Sequence, residues 1–313
     1  METQSEHWSN YWACGYITSL PQDFAGNYDG EIRAFWHARF AAAPHAARVL
    51  DLCTGNGAIA LLAVAWSRAH AAALKVTAID AAAIDPQTLL ERHPGAAGLI
   101  QEVRFIGNTV VETCGLPTAG FDLLTSQYGI EYCEPESAAL QVARMLVPGG
   151  CFAMLTHDSG SEIVSTMEAE DREYSLLVDL GLFQVMADFL AGLTDAGSLR
   201  ESLQTQRLQL AGEPASPLFA TVRRMIDSLL ALDETGLVAG HAGLQRSLSH
   251  LEHARARLAD MLRVNRMISE DPHWYRVFER HGLVLRESGE VLYRGLHRSG
   301  HYYCFNKPLP DTA

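Results

Sequence analysis

Val49-Leu50-Asp51-Leu52-Cys53-Thr54-Gly55-Asn56-Gly57-Ala58-Ile59-Ala60-Leu61 decides the fold. It reads as a buried strand, a glycine turn and the start of a helix. At the front of an α/β domain, such a loop brings backbone close to a ligand, because Gly55 and Gly57 leave room that any Cβ would fill. The Asp-x-x-x-Gly-x-Gly spacing is not the phosphate-cradling pattern, which requires Lys-Ser/Thr after the loop. It is also an incomplete dinucleotide fingerprint, with Cys53 and Ala60 at the first and third glycine positions.

The elements downstream settle what the loop leaves open. Lys75-Val76-Thr77-Ala78-Ile79-Asp80 is a short β-branched run ending in an acid, about one βαβ unit beyond Asp51. A carboxylate at the end of a second parallel strand suits two vicinal ribose hydroxyls, since it accepts both hydrogen bonds. Val103–Thr109 and Phe121–Tyr128 read as a third and a fourth strand. Met145–Thr156 reads as a helix end, a Pro-Gly-Gly turn and a fifth strand. Strands alternating with helical stretches predict a parallel, doubly wound sheet.

In these features the chain resembles the class I S-adenosylmethionine-dependent methyltransferases. The resemblance rests on the glycine motif at 49–61, Asp80, the Gly107-Asn108 strand end, the Phe121-Asp122 strand and the Leu-x-Pro-Gly-Gly turn at 146–150. Cys53 stands where most members carry glycine, and Asn108 where aspartate is common. An amide can still accept from an adenine amino group and donate to a ring nitrogen. The resemblance implies a Rossmann-like, doubly wound seven-stranded sheet with S-adenosylmethionine as cofactor. It also implies a cofactor set of Asp51, Gly55, Asn56, Gly57, Asp80, Asn108 and Thr109. In that set Asp51 orders the glycine loop and the methionine amino group, Asp80 binds ribose, and Asn108 and Thr109 meet adenine. The plainer reading makes Asp51 a loop cap and Asn108 a turn residue.

The family's fourth strand end lines the methyl-donor site, so Gln127 is a candidate cofactor contact. Tyr128 can offer its ring face to the sulfonium, and Glu131 and Tyr132 can face the acceptor. Alternatively, both tyrosines pack and Glu131 caps the next helix. Thr156-His157-Asp158 ends the fifth strand, and His157 is the candidate base because imidazole titrates near neutral pH. Asp158 is its neighbour, although adjacent residues usually point apart. The plainer reading is a loop histidine in a structural hydrogen bond. The leader Asn10–Ser19 resembles the aromatic N-terminal segments that fold over this cofactor in small-molecule methyltransferases. Trp12 and Tyr28, with Tyr11, would then wall the sulfonium side; otherwise they anchor the leader on the sheet. His250 and His253 lack His-x-x-x-His spacing and a distant third ligand, so no metal is assigned.

Composition and charge narrow the partners. The 313-residue chain is 48% hydrophobic, 19% charged and carries a net charge of −13. Such acidity repels phosphate backbones and anionic membranes, which argues against nucleic acid or membrane as partner. Six scattered cysteines without a C-x-x-C suit a reducing cytoplasm. The polar, acidic start Met1–Glu6 does not read as a signal peptide, and no apolar run reaches spanning length.

Residues 1–45 form an aromatic-rich leader broken by Pro21 and by Gly26–Gly30, with a helix over 31–43. Residues 46–158 and 272–307 make the cofactor-binding core, closed by a helix at Trp274–His281 and an antiparallel pair, Leu283–Tyr293 and His297–Asn306. Residues 159–271 are far too long for a connection and carry helical apolar stripes. Ile163, Met167, Tyr174 and Leu177 form one. Leu182, Val185, Met186, Phe189, Leu190 and Leu193 form a second, and further stripes start at Leu218 and Leu244. This predicts a helical cap inserted after the fifth strand, placed to cover a small-molecule acceptor.

The leading expectation is therefore a cytoplasmic S-adenosylmethionine-dependent methyltransferase of a small molecule. No Asn-Pro-Pro-Tyr follows the fourth strand, which argues against the N-methylations tied to that motif. Two rivals stay open. The same fold can cyclise S-adenosylmethionine, releasing methylthioadenosine. The chain can also be a non-catalytic partner whose cap is an interface, and a homodimer through the cap fits that arrangement.

Overall fold

The computed structural model describes residues 5–19, 24 and 26–310. Residues 1–4 and Pro21, which enter the sequence reading, lie outside the described residues. Seven strands form one sheet: β1 Arg48–Leu52, β2 Lys75–Ile79, β3 Val103–Ile106, β4 Phe121–Gln127, β5 Leu146–Thr156, β6 Val284–Tyr293 and β7 His297–Asn306. Their order is β3-β2-β1-β4-β5-β7-β6. β1 to β5 pair in parallel, and β7 runs antiparallel to both β5 and β6. This is the doubly wound, Rossmann-like α/β sheet that the sequence predicts. Extended pairing in β5 already begins at Leu146, which registers with Phe121. The Pro148-Gly149-Gly150 turn is therefore an irregularity inside β5, not a turn ahead of it.

The helices are α1 Glu6–Ala13, α2 Gly30–Ala42, α3 Ala58–His70, α4 Ala97–Ile100, α5 Pro135–Met145, α6 Glu162–Asp179, α7 Leu182–Leu190, α8 Ala196–Leu210, α9 Pro217–Leu230, α10 Glu234–Ala239, α11 His241–Glu270 and α12 Val277–Arg280. Trp274–Arg276 is a 3₁₀ turn ahead of the four-residue α12, so the helix expected over Trp274–His281 is split.

The central strands are apolar on both faces, because helices cover each side. Val49, Leu123 and Ala153 point to one face and pack with Ile32, Trp36 and Phe40 of α2 and Ala63 of α3. Leu50, Leu124 and Phe152 point to the other, with Val142 of α5, Phe278 of α12 and Phe305 of β7. Ile32, Trp36 and Phe40 recur every four residues, which turns one side of α2 wholly into the core. Arg48 ties β1 to β4: its backbone N–H and its guanidinium both donate to the Asp122 carboxylate.

The chain divides into two compact units, residues 1–164 with 263–313, and residues 165–262. The second is helical. Its helix starts are written in the sequence: Asp195 caps α8, Ser216 caps α9 ahead of Pro217, and Asp233 caps α10, each side chain accepting a first-turn N–H. Leu199, Leu203, Val222, Ile226, Leu244, Leu248 and Leu258 are buried. Two expected stripe members are corrected. Ile163 is exposed and Leu193 largely so, because one precedes the unit and the other lies past the end of α7, beyond the packed turns.

Candidate active site

Strand order reverses between β1 and β4, so the loops leaving them diverge and open a crevice at the carboxyl ends of the parallel strands. The polar candidates gather at those ends. Asp51 is buried near the end of β1. Its Oδ2 accepts from the Thr54 hydroxyl at 2.5 Å and its Oδ1 from the Thr125 hydroxyl at 2.7 Å. Burial pushes its carboxyl up to about 6, against the lowering effect of those hydroxyls. Asp51 thus braces the glycine loop to β4.

Cys53, Gly55 and Gly57 all take positive φ, which folds the loop back on itself. The Gly55 N–H donates to Asp80 Oδ2 at 2.7 Å, while Asp80 Oδ1 accepts from the Ala82 N–H at 2.8 Å. Burial raises the Asp80 carboxyl to about 6 as well. A Cβ on Gly55 would lie 2.4 Å from the ring of Trp12, so the leader is seated directly on the loop. Asn56 reinforces that contact: Nδ2 donates to the carbonyls of Trp12 and Tyr16, and its buried Oδ1 has no partner. Gly129, in the loop after β4, approaches Cys53 so closely that a Cβ there would lie 2.4 Å from the Cys53 Cβ. Cys53 Sγ is 3.7 Å from Cys133 Sγ, and that contact and burial drive its thiol well above the usual range.

Asn108 follows β3 in the left-handed region with its side chain exposed; its N–H donates to the Ala82 carbonyl. Thr109 uses its N–H on the Asp80 carbonyl and its hydroxyl on the Gly107 carbonyl. These bonds bind the loops after β2 and β3 together. Gln127 ends β4. Its Oε1 accepts from Trp36 Nε1 at 2.5 Å, and its buried Nε2 has no partner. Tyr128, at positive φ, donates its hydroxyl to the Ser299 carbonyl at 2.5 Å. Tyr28 is buried beside it with ring centroids 6.3 Å apart, and burial raises both phenols.

Glu131 and His157 meet. Glu131 Oε1 lies 2.7 Å from His157 Nδ1 and accepts the His157 backbone N–H at 3.0 Å. Glu131 does not cap α5; Glu134 does, accepting from the Glu136 and Ser137 N–H groups. Asp158 turns away from His157 and accepts the Gly160 N–H. His157 Nε2 faces the Tyr132 hydroxyl at 3.5 Å, and Tyr132 meets the Trp8 ring edge-on.

The structure therefore assembles two neighbouring groups. Trp12, Asp51, Gly55, Asn56, Gly57 and Asp80 surround the glycine loop. Tyr28, Gln127, Tyr128, Glu131 and His157 lie at the ends of β4 and β5 and the leader packed there. Asn108 and Thr109 sit at the β3 end beside Asp80. The Glu131–His157 pair, the Trp36 bond to Gln127 and the place of Trp8 are not evident in the linear motifs. The pair's only signal is that β4 and β5 are neighbours, with Gln127 in register with Leu155. Among the described residues, no cluster of three or more His, Cys, Asp or Glu side chains can hold a metal.

The donors and acceptors present fit a nucleoside amino acid. Each Asp80 oxygen takes one backbone N–H and keeps a lone pair for a hydroxyl. Asn56 Oδ1 and Gln127 Nε2 are an unpartnered acceptor and donor, which suits an ammonium and a carboxylate. Residues 50–154 match a family model described as a methyltransferase domain. Similar solved structures include the YcgJ protein from Bacillus subtilis, 22% identical over 41% of this chain and 52% of that one, with a TM-score of 0.33. The 1,6-didemethyltoxoflavin-N1-methyltransferase from Burkholderia thailandensis is 22% identical over 40% and 50%, with a TM-score of 0.30. The geranyl diphosphate C-methyltransferase from Streptomyces coelicolor is 9% identical over 97% and 98%, with a TM-score of 0.47. The chain spans about half the length of the first two. No curated protein matches it. Residues 50–154 thus carry a methyltransferase domain.

Proposed function

We propose that the whole protein transfers the methyl group of S-adenosylmethionine to a small-molecule acceptor. The observation that carries this reading is the carboxylate of Asp80, buried at the end of β2 and hydrogen-bonded to the glycine loop at Gly55. In this reading Asp80 accepts the ribose hydroxyls, and Gln127 Nε2 and Asn56 Oδ1 hold the amino-acid end. Asp51 keeps the loop in shape through Thr54 and Thr125. Asn108 and Thr109 border the adenine. The bound cofactor supplies an electrophilic methyl on a sulfonium. The protein's own contribution is to orient the acceptor, exclude water and accept a proton where the acceptor has one to lose.

Trp12 packs on Gly55 and Tyr28 beside Tyr128, contacts that support a water-poor transfer site. The helical unit enters the chain shortly after His157, and that connectivity supports a role for it in selecting the acceptor. The absence of a long basic run in an acidic chain favours a small acceptor over a polyanion.

Calorimetry with S-adenosylmethionine tests the reading. Native protein should bind, and Asp80→Ala should weaken binding by about 10- to 100-fold, the loss of charged hydrogen bonds. Absence of binding by the native chain, or unchanged binding by the variant, rejects the assignment. Incubation with the cofactor alone should release no methylthioadenosine; its release would favour cyclisation.

A further inference from the structure

The methyltransferase reading leaves the acceptor class open, and the Glu131–His157 pair narrows it. The parallel register puts the segments leaving β4 and β5 side by side, which is how residues 26 positions apart come together. Glu131 Oε1 already receives the His157 backbone N–H, so it acts as an acceptor. Nδ1 is thus the nitrogen that donates to the carboxylate, and Nε2 is the nitrogen left to face a ligand. The Glu131 side chain is 0% exposed, while that of His157 retains 17%. The carboxylate thus lies more deeply than the imidazole, with its Oε2 buried and unpartnered, and the imidazole is the more exposed of the two. Beyond Nε2 stand Tyr132 and then Trp8, with Tyr128 against the ring at 5.0 Å, so the surroundings are flat and aromatic.

We infer that Glu131 is a positioning residue that orients His157 as the base, and that the acceptor is a hydroxyl on a flat unsaturated ring. A phenol, with an ordinary pKa near 10, stays protonated at neutral pH and gains most from a base. A thiol, near 8.5, ionises more readily by itself, and an amine attacks through a lone pair it already has. Aromatic side chains stack favourably on a planar ring. In the transfer, the hydroxyl oxygen forms the new O–CH₃ bond as the methyl–sulfur bond breaks. That bond's electron pair stays on sulfur, which becomes a neutral thioether. The hydroxyl proton passes to His157 Nε2, giving an imidazolium held by the Glu131 carboxylate.

The test uses the full chain, methyl-labelled S-adenosylmethionine and three ring-matched probes: catechol, aniline and benzenethiol. Catechol should be methylated in preference to the others. His157→Ala should lower kcat roughly 100-fold with cofactor binding retained. Glu131→Gln should lower kcat roughly 10-fold with little change in KM and shift the acid limb of the pH–rate profile. Nitrogen-15 spectra at pH 8 should show His157 protonated on Nδ1 and altered in Glu131→Gln, a signature that a packing role alone would not move. Preference for aniline or benzenethiol, no methylation of catechol, or protonation on Nε2 overturns the inference. If the native chain fails to bind the cofactor, the failure belongs to the methyltransferase reading; if it binds, the failure belongs to this one.

Discussion

Asp51 and Asp80 give the site a pH dependence whose direction follows from burial. Both folded carboxyls hold their protons up to about 6, whereas an ordinary aspartate gives its proton up near 3.8. Between those values the native state binds more protons than the unfolded chain, so stability falls as pH rises from about 3.8 to about 6. Above 6 the cost is roughly 3 kcal/mol for each group. Denaturant unfolding from pH 4 to 7 should therefore show Asp80→Asn losing less stability across that interval than the native protein. An identical slope would contradict the burial argument. Cofactor affinity should run the other way. Only the ionised carboxylate can accept ribose hydroxyls while holding the Gly55 and Ala82 N–H groups. Affinity measured by calorimetry should weaken as pH falls below about 6.

At the scale of elements, the contact between α1 and the glycine loop is a tight joint in the site. Gly55 combines a positive φ with a Trp12 ring in the space of its missing Cβ. Gly55→Ala should cost on the order of 1–3 kcal/mol in thermal or denaturant unfolding. Trp12→Ala in that background should recover the steric part but not the backbone part; no recovery at all would mean the ring is not the obstacle. The strands, the loop and the acid at position 80 were legible because local residue types encode them: β-branched runs, glycines at tight turns, a carboxylate at a strand end. The Glu131–His157 pair was not, because it exists only once β4 and β5 are neighbours. Trp12 was legible as an aromatic near the cofactor loop, but its seat on Gly55 depends on where α1 lands. Ile163 and Leu193 failed as stripe members because periodicity reports which side of a helix is apolar and not where its packing ends.

At the scale of the molecule, the two units should respond differently to the cofactor. A ligand held by the loops after β1, β2 and β4 stabilises only the native unit that carries them. At a cofactor concentration 100 times Kd this amounts to about 2.7 kcal/mol. Hydrogen exchange should slow in the loops at 52–57, 80–84 and 127–131 and stay unchanged in the body of 165–262. Uniform slowing across both units would point to a ligand held elsewhere or to strong coupling between them. The most direct measurement is a crystal structure of the protein with S-adenosylhomocysteine. Its ribose hydroxyls should lie within hydrogen-bonding distance of the Asp80 carboxylate, with the amino-acid end toward Asn56 and Gln127. A ligand bound away from the β1 and β2 strand ends, or an Asp80 still committed only to Gly55 and Ala82, would contradict the assignment of the site.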